Sequence, residues 1–175
     1  MDVKEILFVI INIVVIVSQA TVFFINRKEA TVDQVASNSV ILALLLGFAS
    51  SGLIWVTRDN VLHKVLGDVP DWALLLGLVR VPLLLLDNYL YSILQATGQF
   101  GLYNRRLLQS EGLRLVLVAV FVMGFNMGLP AAIATYTFIG LVNIAWLMLN
   151  MRETIHFSLR FDTRLLQKML SFGIR

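Results

Sequence analysis

Residues 72–99 read WALLLGLVRVPLLLLDNYLYSILQATGQ, an apolar run long enough to cross a bilayer as one helix, yet it carries Arg80 and Asp87 near its middle. At 1.5 Å per residue, both lie within roughly 6 Å of the midpoint of a helix spanning 72–96. Charges at that depth cost several kcal/mol against lipid, so they face a bundle interior or a wet cavity. At 100° per residue, Arg80, Asp87, Asn88, Tyr91 and Gln95 share about a 100° wedge, and Leu and Val cover most of the remaining surface. Arginine side chains on a helix lean toward its start, and Asp87 lies two turns the other way. The expectation is that the two do not pair directly and that this helix lines something polar.

The other segments must match that environment. Hydrophobic residues make up 58% of the 175 positions and charged residues 14%, with a mean hydropathy of +0.83. A soluble domain has about a quarter of its residues charged, so the chain is all-α, a polytopic membrane helix bundle. Five segments approach the ~20 residues a span needs: 6–25, 38–56, 72–96, 113–127 and 131–150. The fourth is short unless it begins near Ser110. Residues 1–150 thus form the bundle, and 151–175 a basic cytoplasmic amphipathic segment. Pro82 removes a backbone donor inside the third span, which is tolerated where a neighbour satisfies the freed carbonyl. Gly128-Leu129-Pro130 supplies a tight turn.

Connections 26–37, 97–112 and 151–175, with Arg114 just inside the fourth span, hold ten basic residues, against Lys4, Arg58 and Lys64 on the other side. The positive-inside rule makes the first side cytoplasmic, with the amino terminus outside and the carboxyl terminus inside. No basic leader or small-residue cleavage site precedes the first span, so a missing preceding helix is the simplest expectation. Asp162 is a candidate N-cap for an amphipathic helix over 161–172, with Arg160, Arg164 and Lys168 along one side. Two readings stand: a basic helix on the membrane surface, or the start of a further span.

Polar stripes recur in the odd-numbered spans: Asn12, Gln19 and Asn26 in the first, and Tyr136, Asn143 and Asn150 in the fifth. The three odd spans together are expected to border a hydrated cavity. Interhelical hydrogen bonding, worth around 1 kcal/mol per residue, is the simpler account of the Asn and Gln seams, whereas Arg80 demands a functional or paired-charge explanation. Ala43, Gly47 and Ser51 form a small-residue ridge for close packing. Gly98, Gly101, Tyr103, Asn104, Arg105 and Arg106 read as a cytoplasmic turn. Trp72 and Trp146 read as interfacial anchors. His63 and His156 fall on opposite sides and share no metal. There is no cysteine, no phosphate-binding loop, no dinucleotide fingerprint and no hydrolase motif, so no cofactor, no metal and no enzyme activity are expected. The basic residues are spread over short loops, which gives nucleic-acid binding no support.

Four stretches carry a resemblance. QATVFFINRKEATVDQVASNSVILALLLG is similar to the second helix, cytoplasmic loop and third helix of bacterial polysaccharide flippases of the O-antigen type, within the multidrug/oligosaccharidyl-lipid/polysaccharide exporter superfamily. LDNYLYSILQATGQFGLYNRR resembles their fourth helix and the loop after it, GLPAAIATYTFIGLVNIAWL their sixth helix, and RLLQKMLSFGIR the basic segment between their two lobes. The resemblance implies a MATE-like fold, of which this chain would supply helices two to six of the first lobe. It implies transport, across the bacterial inner membrane, of an undecaprenyl-diphosphate-linked oligosaccharide for surface polysaccharide synthesis. The partners implied are that polyprenyl-diphosphate-linked glycan, membrane lipids, and the polymerase and glycosyltransferases of the same pathway. Beside it, the residue types suit Arg80 to gripping phosphate oxygens, and Asn88, Tyr91 and Gln95 to sugar hydroxyls. Asp87 would repel a diphosphate, and fits an ion-coupling step or a charge partner instead. The competing readings are a cation-coupled drug antiporter of the same superfamily, with Asp87 as coupling carboxylate, and a non-catalytic assembly subunit whose charges bind a partner's helices.

Overall fold

The computed structural model describes residues 3–57, 70–152, 155 and 161–172; within the first helix, side chains are described for residues 12, 13 and 15–26. Every element among these is helical: α1 (Val3–Asn26), α2 (Val32–Val56), α3 (Asp71–Ala96), α4 (Phe100–Val118) running into a π-helical turn (Ala119–Gly124), α5 (Gly128–Met151) and α6 (Thr163–Ser171). Four of them are long and apolar enough to cross a membrane, namely α2, α3, α4 with its π turn, and α5. His63 and His156, and the basic residues at 58, 64, 160 and 175, lie outside the described residues.

The connections follow local chemistry. The Thr31 hydroxyl accepts from the Gln34 amide and the Gln34 side chain accepts from the Thr31 amide, a capping box that starts α2. Gly98, at φ +73°, turns α3 into α4 within three residues, so 100–112 is helix and not the cytoplasmic turn expected from sequence. The fourth span therefore starts at Phe100, ten residues before Ser110. A glycine-containing polar stretch reads as a loop, but here only Gly98 adopts the left-handed conformation that a turn requires. Arg105, Arg106 and Arg114 accordingly lie 5, 6 and 14 residues beyond the start of this helix, which leaves seven basic residues against three in the sequence count. At the other end Asn126 (φ 52°) and Gly128 (φ +67°) make the turn into α5.

Helix α3 is central, touching α1, α2, α4 and α5. It meets α2 where the small-residue ridge lies: a Cβ at Gly47 would land on the Cα and Cβ of Pro82. One turn on, the Ser51 hydroxyl donates to the Leu78 carbonyl at 2.7 Å. That carbonyl is the one Pro82 cannot serve, so ridge and proline form one device. Tyr89, Leu90, Ile93 and Leu94 in the second half of α3 are fully buried and anchor the hydrophobic core with Val17, Val35 and Leu147.

Helix α6 closes that end of the bundle. Asp162 caps it as expected, accepting from the Arg164 and Leu165 amides. Part of its apolar face packs on the bundle: Leu165 and Met169 are buried in the core, and the Phe172 and Phe23 rings meet at 4.6 Å between centroids. A nine-residue helix is marginal alone, and two buried apolar side chains at about 1.5–3 kcal/mol each favour docking over solvent. Asn38, fully buried, adds orientation by donating to the Asp162 carbonyl (3.0 Å) and accepting from its amide (2.9 Å). Asn38→Leu removes both bonds, at a cost of about 1–3 kcal/mol. Amide exchange in α6 should then accelerate roughly 10- to 100-fold, and unchanged exchange would show that α6 is held by packing alone.

Candidate functional site

The polar residues of α3 divide between two places. On the side of α5, Arg80 Nη2 stands 3.6 Å from Asp87 Oδ2, and the two side chains are only 14% and 9% exposed. Asn143 of α5 donates through Nδ2 to Asp87 Oδ1 at 2.9 Å and to the Tyr91 hydroxyl at 3.1 Å. The Tyr91 ring meets Tyr103 of α4 edge to face, centroids 5.1 Å apart. The result is a connected row, Arg80–Asp87–Asn143–Tyr91–Tyr103, held by three helices.

The direct Arg80–Asp87 pairing corrects the sequence expectation. Side-chain lean is a rotamer preference worth about 0.5–1.5 kcal/mol, whereas an unpaired buried charge costs several. The space comes from α5: the Arg80 guanidinium occupies the volume that a Cβ at Gly140 would fill. No spacing rule in α3 alone points to a glycine on another helix. Arg80 also borders a cavity of about 300 Å³ with Gly77, Leu129, Tyr136 and Thr137.

The second place is a groove of about 600 Å³ between α1 and α3, lined by Ser18, Gln19, Asn26, Arg27, Ser92 and Gln95 among others. Gln95 therefore sits apart from Arg80, and Asn88 is exposed and outside the buried row. Asn12 and Gln19 are exposed on α1, and Gln19 lines this groove. Nor, among the described residues, do the three polar stripes come together. Among the described residues α1 and α5 make no contact, because α3 stands between them. Of the fifth-span seam, Asn143 is buried in the row, Tyr136 is 45% exposed, and Asn150 folds back onto the Trp146 carbonyl.

Sequence reasoning found the fourth span but gave it no polar face. Arg114 lies over the Tyr136 ring at 4.7 Å and pairs with Glu111. Arg106 lies over the Trp146 ring at 3.2 Å, so Trp146 is a stacking platform as well as a residue near a span end. The signal was present: Tyr103, Arg106, Ser110 and Arg114 recur at intervals of three and four, one face of a helix. It was hidden by starting the span too late. No group of three His, Asp or Glu side chains suited to a metal comes together among the described residues.

The chain matches no family model, no curated protein and no solved structure.

Proposed function

We propose that this chain is part of the first lobe of a two-lobed membrane transporter, a flippase for polyprenyl-diphosphate-linked oligosaccharides of the bacterial cytoplasmic membrane. The observation that supports this reading is the buried Arg80–Asp87 pair with Asn143 at its side. A guanidinium at membrane depth is suited to take two phosphate oxygens at once, and here it has a resident carboxylate that an incoming phosphate must displace. Asn143 retains the displaced Asp87, which becomes the group able to take up a proton or cation. Such a pair has two alternative partners for one arginine, which is what a site that must load and unload requires. Tyr91 belongs to the same row, whereas Gln95 and Gln19 offer hydrogen-bonding groups to sugar hydroxyls in the α1–α3 groove.

The test is export by cells whose surface polysaccharide depends on the intact transporter. Arg80→Ala should abolish surface polysaccharide, with the lipid-linked glycan accumulating on the inner leaflet and the protein still present in the membrane. Arg80→Lys, which keeps charge but loses the bidentate fork, should retain partial export. Undiminished export by Arg80→Ala rejects the role. The antiporter reading is favoured instead if Asp87→Asn abolishes proton-dependent efflux of a cationic drug.

A further inference from the structure

Two arginines of α4 have no part in the row described above. Distances along the helices from the end where α3 stops, α4 starts and α5 stops put the polar side chains in layers. At 1.5 Å per residue, Arg106, Tyr91 and Trp146 lie about 8–9 Å in, Asp87 and Asn143 about 12–14 Å, and Arg80, Arg114 and Tyr136 about 21–24 Å. Nη1 of Arg80, Nε of Arg106 and Nε of Arg114 are buried donors with no hydrogen-bond acceptor among the described residues. Each of these arginines already has one side-chain partner: Asp87 for Arg80, Gln109 for Arg106 and Glu111 for Arg114. Each therefore has one buried donor that the present packing leaves without an acceptor. The Arg106 guanidinium carbon lies 3.2 Å from the centre of the Trp146 ring and that of Arg114 lies 4.7 Å from the centre of the Tyr136 ring. Each cation is thus held beside a ring of α5 and still has N–H groups that an anion can take. The three arginines exceed Asp87 and Glu111 by one positive charge.

We infer that Arg106 and Arg114 are two further binding stations for a phosphate or diphosphate ester, so that an anionic head group moves along the α3–α4–α5 face from Arg106 to Arg80 and Arg114. The inference rests on the transport reading of the Arg80–Asp87 pair and adds to it the residues that receive the head group before and beside that pair. A single deep cation is a trap, because an anion bound by it alone faces the full cost of leaving. Stations roughly 10–15 Å apart divide that cost into smaller steps. The competing account makes the two arginines packing groups only, each stacked ring contributing about 0.5–2 kcal/mol.

Trp146 reports directly on the first station. In phosphatidylcholine nanodiscs, a Trp55→Phe/Trp72→Phe background leaves Trp146 as the sole tryptophan. Inorganic pyrophosphate should change its emission saturably, while sodium sulfate at matched ionic strength should act far more weakly. Arg106→Gln should weaken the response about tenfold or more, and Arg106→Lys by less, since it keeps the charge. If Arg106→Gln alters the starting emission by disturbing the fold, the Lys variant carries the comparison. No response to pyrophosphate, or equal responses in all variants, overturns the inference. So does a full response produced by phosphatidylglycerol in the disc with nothing added by pyrophosphate, which would make Arg106 a lipid contact. For the deeper station, Arg114→Gln in the intact transporter should lower export several-fold with membrane levels unchanged, and undiminished export overturns it. Because the fluorescence titration needs no transport, a Trp146 response alongside undiminished export in Arg80→Ala would discard the flippase and keep the phosphate site. Abolished export in Arg80→Ala with a silent Trp146 would do the reverse.

Discussion

Asp87→Leu should destabilise the bundle by about 3–5 kcal/mol, and adding Arg80→Met should restore most of that loss. The single change leaves Arg80 buried opposite leucine, with no carboxylate 3.6 Å away. It also removes the Asp87 acceptor of Asn143, which retains only the Tyr91 hydroxyl. The double change removes both charges and fills the site with apolar side chains of similar size, so nothing charged is left unpaired. Unfolding of purified protein in mixed micelles by titrating a denaturing detergent would measure both. A single variant as stable as the original chain, or a double variant less stable than the single, would contradict a paired buried charge. Stability and export should part company here. The recovered double variant is expected to fold and to export nothing, since it has lost the cation that takes the phosphate.

The second large effect is expected at Gly47. Its missing side chain lets α2 rest against the Cα and Cβ of Pro82, which are backbone and ring atoms and cannot swing aside. Gly47→Leu must separate the two helices. Overpacking costs about 1–3 kcal/mol, and parting the helices also breaks the Ser51–Leu78 bond, leaving a buried carbonyl without a donor at a further 1–3 kcal/mol. The same detergent titration should give a loss of roughly 2–6 kcal/mol. Gly52→Leu is the control. It lies on the same helix with nothing within 4 Å of an added Cβ, and should change stability little. Equal effects at both positions would mean that the α2–α3 contact is not close packing. Pro82 lies between Arg80 and Asp87 in sequence, so loosening α3 at this point should also change the distance between the two charges.

How much was readable in advance depended on how local the cause was. The apolar segments, the turn at Gly128, the N-cap at Asp162 and the need of Pro82 for an outside donor all follow from a few neighbouring residues. The start of α4 was misread because Gly98 and Gly101 look alike in sequence, yet only Gly98 takes a positive φ. The partner of Arg80 was misread for a different reason. The lean of an arginine is a weak preference, overridden by a buried carboxylate and by a glycine 60 residues away that leaves room for the guanidinium.

The sequence alone determined that this chain is a bundle of membrane-length helices and that one of them carries a cation and a carboxylate at depth. Hydropathy, helical pitch and the cost of burying charge are properties of single segments, and they survive being read one segment at a time. Only the tertiary structure decided that Arg80 and Asp87 meet, that Asn143 and Tyr91 join them, that α3 keeps the α1 and α5 stripes apart, and that Arg106 and Arg114 lie over rings of α5. Those outcomes depend on which helix lies beside which, and that is set by shape complementarity between distant residues such as Gly47 with Pro82 and Gly140 with Arg80, which carries no periodic mark within any one helix.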